Sequence, residues 1–482
     1  MEKLHLSEDP WFAYPGYRWT GWEFILGILR SAYGRYVDYV ATPLLRKRLR
    51  QFASPSPTMI DGHMRQDEWI KTGTGVYKVD FEHHNFGGPE LDMVDPAYDL
   101  TSAIFEFRLS KEEEKELLQT YMQMSGDQKV TERIFVHKLI YGLIALQYAS
   151  YWIARPVSNQ KREELNKSYL WARNFLIYQM NQFCAGAIDA QHVVGQPKHL
   201  FFLDMDGVLD TEILGFPHTT YSGLIALRLL QLHGFSVILN SGRSIEHVKN
   251  YCQTYGLSGG IAEYGSVFWD AINSRELPLI DKETAEELMR CREAIKKIPG
   301  VFIDSGYRYS IRAYRYNGLH TAGLDTEEVK SLLKHSRSDR MTFISQGNTY
   351  IVQKGVDKGS GMLAAKRALG YNSEPVTAIG DTVQDIAMLE IADFAYAPSN
   401  CSKELYDLGG RGKCKIMPQP YQRGLLAAVQ DRIRNSSPGR SEYSFSSARV
   451  NDPNNLMWFI LRISELPRLQ QLLRTIQWSL FS

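Results

Sequence analysis

The sequence predicts an α/β fold centred on a doubly wound parallel sheet, preceded by a mainly helical segment and followed by a polar tail. Three observations predict it. Between 198 and 430, the apolar runs HLFFL, FSVIL and PVTAI each end in a loop of Asp, Ser, Asn and Gly. Helical stretches such as SGLIALRLLQLHG and GSGMLAAKRALG alternate with those runs, which is the strand–loop–helix repetition of a parallel sheet. Residues 1–190 instead place aliphatic and aromatic residues at helical intervals, as in WTGWEFILGILRSAYGRYVDYV.

Taken in order, the first segment predicts a helix over 110–127, with Ser110 as N-cap and acidic residues in its first turn. A second helix is expected over 131–160, closed by Pro156, and a third over 161–186. A Gly-, Asp-, His- and Pro-rich stretch at 54–100 reads as non-helical. The sheet core divides into 198–270 and 346–430. Between them, 271–345 reads as an α+β insert. It holds a helix over 282–298, an amphipathic strand in RYSIRAYRY, and a hairpin turning through Gln346–Asn348. Residues 431–482 begin as a Ser-, Asn- and Pro-rich linker and end in an apolar-striped helix over 455–480. That helix is expected to pack back on the chain or to dock a protein partner.

Bulk properties narrow the function. The 482 residues suffice for more than one core, and 44% hydrophobic with 23% charged residues is an ordinary folded composition. A net charge of +1 without a long basic tract points away from nucleic acid. No run of eighteen apolar residues and no signal-like N-terminus occur, so neither a membrane partner nor secretion is expected, and the cytoplasm is the expected compartment. Cys184, Cys252, Cys291, Cys401 and Cys414 form no Cys-x-x-Cys pair, which argues against structural zinc and against a disulfide framework.

Polar residues cluster where the predicted strands end, the place where such sheets bind ligands. Asp204 and Asp206 follow the first run in Asp-Met-Asp-Gly. Two carboxylates so close repel unless a cation or shared proton offsets them, and a hard cation bridges naturally to phosphate. One can attack phosphorus while the other moves the leaving-group proton. Gly207 allows the chain to turn. Ser241 and Gly242, in Asn-Ser-Gly-Arg after the second run, offer a hydroxyl and amides to a phosphate, and Arg243 follows. Lys358, at the start of a core helix, is favoured over Lys354 as the cation that balances nucleophile and phosphate. Asp381 and Asp385 follow the third run in Gly-Asp-Thr-Val-Gln-Asp and would complete a metal shell. In the insert, Arg308, Arg312, Arg315 and Tyr314 are candidates to face the substrate, with Arg312 retained as a substrate contact.

These four motifs, over 198–430, resemble the haloacid dehalogenase-like superfamily of phosphohydrolases. The resemblance implies a Rossmann-like core with Asp204 as nucleophile, Asp206 as general acid/base, and Ser241 as the phosphate-binding hydroxyl. It also implies Lys358 as the balancing lysine and a Mg2+ held by Asp204, Asp206 (through its carbonyl), Asp381 and Asp385. The insert after Ser241 matches a type-two, C2B-like cap, and Glu263-Tyr264-Gly265 is similar to the Glu-Asn-Gly stretch leading into such caps, with Tyr264 as a departure. The implied function is a magnesium-dependent phosphatase for a small phosphomonoester, a sugar phosphate being expected, acting through an aspartyl-phosphate. The alternatives are a phosphotransferase or phosphosugar mutase, or a regulatory or scaffold protein with an idle catalytic domain.

The first segment has its own resemblance. Val76–Glu82, a strand leading into Asp80, and Asp95-Pro96-Ala97-Tyr98-Asp99 resemble the C-terminal lobe of aminoglycoside and choline phosphotransferases, which are kinase-like. The loop Asp61-Gly62-His63-Met64-Arg65-Gln66-Asp67-Glu68 departs from that family: His63 stands where the catalytic base should be and Glu68 where the metal-binding Asn should be. With no glycine-rich nucleotide loop upstream, the expectation is an incomplete or degenerate lobe without ATP-dependent activity. His83 and His84 are expected to be solvated loop residues.

Overall fold

The computed structural model describes residues 58–61, 64–79, 93–186, 199–212, 214–317, 320–325, 327, 329, 340–345, 347–371, 373–436, 456–467 and parts of 469–477. His63, Asp80, His83 and His84, the helix expected within the first fifty residues, and most of the Ser-rich linker lie outside the described residues.

The chain opens with short strands β1 (Thr58–Met59), β2 (Trp69–Thr72), β3 (Gly75–Lys78) and β4 (Met93–Val94), forming two small antiparallel pairs, β1–β4 and β2–β3. Four helices follow: α1 (Ala97–Glu106), α2 (Lys111–Ser125), α3 (Val130–Ile153) and α4 (Asn159–Gly186). The expected cap of α2 is present in full. Ser110 Oγ accepts from the Glu113 amide (3.3 Å), and the Glu113 carboxylate accepts from the Ser110 amide (2.7 Å). Gly126, at φ 76°, takes the left-handed conformation that closes this helix. The helix expected to reach 160 stops at Ile153, ahead of Pro156, because proline disfavours helical geometry in the residue before it.

A buried charge cluster ties these helices together. The Asp95 carboxylate accepts from Arg133 Nε (2.6 Å) and Nη2 (3.1 Å), and Arg133 also bonds Asp127 (2.6 Å). Burial pushes the Asp95 carboxyl up, but His137 and Arg133 outweigh it and the net shift is downward. Truncation at Arg133 would strand two buried acids. Arg133→Ala is therefore expected to destabilise the chain by about 3–5 kcal/mol, read as a lowered denaturant midpoint, while Arg133→Lys loses less.

The central sheet has eight strands in the order β17-β16-β15-β5-β6-β7-β8-β9. They are β5 (His199–Leu203), β6 (Phe235–Asn240), β7 (Gly259–Ala262), β8 (Val267–Asp270), β9 (Arg275–Pro278), β15 (Val376–Ile379), β16 (Phe394–Ala397) and β17 (Lys415–Ile416). The expected all-parallel sheet is corrected here. Strands β17 to β7 are parallel, but β8 and β9 continue the edge antiparallel. The physical reason is the tight link between β7 and β8, only four residues long, which admits a hairpin and leaves no room for a crossover helix. Helices α5 (Tyr221–Leu232) and α6 (Ile245–Tyr255) follow β5 and β6. Phe201 and Phe202 point to opposite faces and are both fully buried, so each face of β5 is covered. Each ring contributes roughly 2–3 kcal/mol by burial.

Between β9 and β15 lies a separate antiparallel sheet, β10-β11-β14-β13 with β12 on β11. It comprises β10 (Phe302–Ile303), β11 (Ile311–Asn317), β12 (His320–Ala322), β13 (Met341–Ser345) and β14 (Thr349–Gln353), with α7 (Lys282–Ile295) against it. Leu288, Cys291 and Ile295 of α7 pack with Ile311, Ala313 and Ile351 in a core of their own. The hairpin anticipated through 346–348 joins β13 to β14, and α7 ends three residues short of 298. The chain then returns to the large sheet through α8 (Lys358–Ala368), α9 (Ile386–Ile391), α10 (Lys403–Gly410) and α11 (Tyr421–Ser436).

The last helix, α12 (Leu456–Ile463), packs back on the chain. Met457, Trp458 and Leu461 are buried, and Trp458 stacks on Phe183 of α4 at 4.8 Å. Glu465 accepts from the Ser222 amide (3.0 Å) and from the Thr220 and Ser222 hydroxyls. The single helix expected over 455–480 is interrupted after Ile463 by a turn leading to Pro467, which cannot continue an i to i−4 ladder. One hydrophobic cluster runs without a break from the first helices through the large sheet to α12.

A buried imidazole makes this core sensitive to acid. His218 is 1% exposed, its Nδ1 hydrogen-bonds the Phe216 carbonyl (2.9 Å), and burial pushes its pKa down to about 4 from 6.5. The unfolded chain therefore binds the proton first as pH falls. Stability is expected to drop by on the order of 3 kcal/mol between pH 6.5 and 4. Urea midpoints across that range should show a shallower slope in His218→Asn.

Candidate active site

Parallel pairing assembles the site. Leu203 lies beside Ile379 on one side and Leu239 on the other, so the loops after β5, β15 and β6 emerge side by side. Those loops carry Asp204, Asp381 and Ser241. Across them comes the first turn of α8, capped reciprocally by Asp357 and Ser360 and pinned where Asn240 Nδ2 donates to the Lys358 carbonyl (2.8 Å). That pinning aims Lys358 and the positive end of the helix at the carboxylates.

Lys358 is 3% exposed and donates to Asp204 Oδ1 (2.7 Å) and Asp385 Oδ1 (2.6 Å). The Met205 amide also donates to Asp204 Oδ1 (2.8 Å), so Oδ2 is the oxygen left for chemistry. Asp385 is fully engaged, its Oδ2 accepting from the Asp381 and Thr382 amides and from the Thr382 hydroxyl. Oxygens of Asp204, Asp381 and Asp385 all lie within 4.8 Å of one another. These three buried acids share one lysine. Burial and the Asp385 charge push the Asp204 carboxyl well above its ordinary value, despite Lys358. Burial and Asp385 likewise push Asp381 up to about 7. Asp381 Oδ1 is buried and without a hydrogen-bond partner. Excess negative charge and an unpartnered oxygen are what a divalent cation would satisfy, so the three aspartates are positioned to coordinate one.

Asp206 departs from this cluster. Its side chain is 61% exposed and is bonded by Arg243 through Nε (3.2 and 3.1 Å) and Nη2. Desolvation in the cleft pushes its carboxyl up, Arg243 pulls it down, and the net is below the ordinary value. Arg243 continues inward to Asp210 (2.8 Å) and the Tyr251 hydroxyl (3.2 Å). Burial pushes Asp210 up to about 6 even so. Gly207, at φ 78°, is needed for two reasons: the turn is left-handed, and a Cβ there would lie 1.9 Å from Asp381 Oδ2. Ser241 is fully buried and its Oγ accepts from the Arg243 amide (3.1 Å). Gly242 lies over the Tyr264 ring, where a Cβ would come within 2.4 Å.

A cavity of about 310 Å³ opens above Asp204, Lys358 and Asp381, and Asp206, Gly242 and Arg243 also face it. Its roof comes from the antiparallel sheet, which contributes Tyr350, Arg312 and nearby Asp304 and Tyr307. Arg312 therefore faces the cavity as expected, bonded to Asp304 (2.7 Å). The other candidates do not line it. Arg308 pairs with Glu246 and Glu276, Tyr314 donates to Asn166 (2.8 Å), and Arg315, in register with Ala322, is not among the residues that line the cavity. Glu263 and Tyr264 both adopt positive φ (54° and 58°). The Glu263 carboxylate accepts from the Arg308 and Tyr309 amides and the Ser310 hydroxyl, which fastens the inserted sheet to the core. Sequence reading missed Asp210, His247 and Arg173. The first stands in the same motif as Asp204, but the other two lie on helices without a distinguishing pattern.

In the first segment, Asp61 and Glu68 are both paired with Lys78, while Asp67 pairs with Arg65 at the surface. Among the described residues, the aspartates of the large sheet are the one acid, histidine or cysteine group arranged for a metal. None of the five cysteines is in a disulfide. Among the described residues, no helix is long and apolar enough to cross a membrane.

Comparison with known proteins agrees with this site. Residues 311–408 match the haloacid dehalogenase-like hydrolase family. A phosphoglycolate phosphatase of Methanopyrus kandleri is 27% identical over 185 residues, covering 37% of this chain and 76% of that protein. One from Methanococcoides burtonii is 23% identical over 235 residues, covering 48% and 96%. Among solved structures, a haloacid dehalogenase-like hydrolase from Bacteroides thetaiotaomicron superposes with a TM-score of 0.39 at 14% identity, over 48% of this chain and 99% of the other.

Proposed function

From the premise of a haloacid dehalogenase-like hydrolase fold carrying an aspartate cluster suited to a cation, we propose that this protein is a magnesium-dependent phosphatase of small phosphomonoesters. The observation that carries the reading is the Asp204–Lys358–Asp385 arrangement beside the unpartnered Asp381 Oδ1. Asp204 Oδ2 attacks phosphorus, and the bond to the leaving oxygen breaks as Asp206 hands that oxygen a proton. Asp206 then takes a proton from water, whose oxygen attacks the aspartyl-phosphate, releasing phosphate and restoring Asp204. Asp204, Asp381 and Asp385, with the Asp206 carbonyl, would hold a magnesium ion, which would supply Lewis-acid neutralisation of the phosphoryl oxygens. Lys358 offsets the charge of nucleophile and phosphate, and Ser241 and Gly242 bind phosphate. Phosphate entering the cavity competes with Asp206 for Arg243, and Asp206, once released, takes up from solvent the proton that it then hands to the leaving oxygen.

We read the inserted sheet as a type-two cap closing on the leaving group. The names of the similar proteins support a phosphorylated hydroxy acid of the phosphoglycolate kind as substrate. A sugar phosphate is the second reading, favoured by Glu212 and Asp304, acceptors for hydroxyls at the cavity wall. The first segment reads as a degenerate kinase-like lobe, supported by Lys78 neutralising Asp61 and Glu68. Cysteines kept as thiols fit the cytoplasm. The test is phosphate release by the full chain with Mg2+, from phosphoglycolate and a panel of sugar phosphates. Activity is expected to vanish in excess chelator and return with Mg2+. Consumption of ATP or isomerisation without free phosphate would instead favour transfer, and no turnover of any compound would leave the scaffold reading.

A further inference from the structure

One wall of the cavity belongs to neither the large sheet nor the inserted sheet. Arg173 of α4, a helix of the first segment, faces the same space as Asp204. This helix is held on both sides. Asn166 accepts from the Tyr314 (2.8 Å) and Tyr316 (2.7 Å) hydroxyls of the inserted sheet. Asn174 bonds His247 (2.7 Å), and Asn181 and Gln182 bond Asn250 (3.3 Å) and Thr254 (3.0 Å) of α6. Phe175, Leu176 and Met180 are buried in the shared core. Arg173 is therefore presented by a rigid element.

The cations of the cavity are not equally committed. Arg243 is shared by Asp206 and Asp210, and Lys358 by Asp204 and Asp385. Arg173 has, among the described residues, one ion pair, with Glu212 at 3.6 Å and itself 65% exposed, and otherwise acts on Asp206 only through its charge. Arg312 reaches Asp304 through Nη1, but its Nε is buried with no partner. Between these guanidiniums sits His247, which burial and then Arg173 and Arg243 push down to about 3, so it adds no charge of its own. Asn348 Oδ1 and Gln384 Oε1, at the same cavity, are also buried and unpartnered. The two amide oxygens accept rather than donate and so call for a hydroxyl or water, whereas under-neutralised guanidiniums with an unpartnered Nε–H suit a ligand with a second anionic group besides its phosphate.

Resting on the phosphatase reading, we propose that Arg173, with Arg312 opposite, grips the non-reacting carboxylate of the substrate. Helix α4 is then a specificity wall, and phosphorylated hydroxy acids are preferred over neutral phosphomonoesters. The test measures binding calorimetrically in the full-length Asp204→Asn protein with Mg2+, using phosphoglycolate and ethyl phosphate, which lacks the carboxylate. Phosphoglycolate is expected to bind at least about tenfold tighter. Adding Arg173→Ala should collapse that ratio toward one, and Arg173→Lys should restore part of it. A ratio unchanged by Arg173→Ala overturns the proposal. Should that variant fail to fold, Arg173→Gln, which keeps length and loses charge, gives the same comparison. The two readings fail separately: a wild type that releases no phosphate from phosphoglycolate or from any of the sugar phosphates sinks the phosphatase reading, while a collapsing ratio still upholds the role of Arg173.

Discussion

The Asp204→Asn variant is expected to lose phosphate release by at least about 10³-fold, because the amide cannot attack phosphorus. It is also expected to melt higher than wild type in chelator. Asp204, Asp381 and Asp385 crowd within 4.8 Å around one lysine, so replacing one acid by a neutral isostere relieves repulsion in a buried site. With Mg2+ the order should reverse or narrow, since wild type gains more from the cation than the variant does. Thermal midpoints of both proteins, with and without Mg2+, check this against a simple folding defect. A variant that loses activity together with its midpoint in chelator would count against the crowded-acid account.

Lys358→Ala has the opposite thermal sign. Lys358 is 3% exposed and bonds two carboxylates, so its truncation leaves Asp204 and Asp385 buried without their cation. Breaking a buried pair in this way costs about 3–5 kcal/mol. The variant should melt well below wild type in chelator and recover part of the loss in Mg2+, which supplies positive charge at the same acids. Activity should stay low even where Mg2+ restores folding, because the positive end of α8 alone does not replace a lysine beside Asp204. A midpoint equal to wild type in chelator would mean that the acids are already protonated and that Lys358 carries little of their stability.

Much of the site was legible because each part ends a short apolar run. The pattern of β5, β6 and β15 placed Asp204, Ser241 and Asp381 at strand ends, and parallel pairing did the rest. Lys358 could be told from Lys354 because the helix start follows it directly, and the structure places Lys358 alone of the two on the acids. The edge of the sheet was less legible. Strands β8 and β9 carry no periodicity that distinguishes antiparallel from parallel neighbours, and the link after β7 decided it. Among the arginines of the inserted sheet, alternation along β11 did not say which face meets the cavity. Arg312 does, while Arg308 lies before the strand and pairs with Glu246 and Glu276.

The sequence by itself determined which groups meet at the strand ends: acids, hydroxyl and lysine recur just after apolar runs, and a strand end is a local property. The ordinary hydrolase core, the helices of the first segment and the inserted α+β unit were likewise readable from local spacing. Only the tertiary structure decided what surrounds the reacting atoms. Arg243 turning to Asp206 and Asp210, and α4 bringing Arg173 to a cavity that Asp204 also lines, depend on packing between elements distant in sequence. No local pattern encodes such contacts, because they are set by which buried faces meet, and one hydrophobic cluster joins the first segment to the sheet.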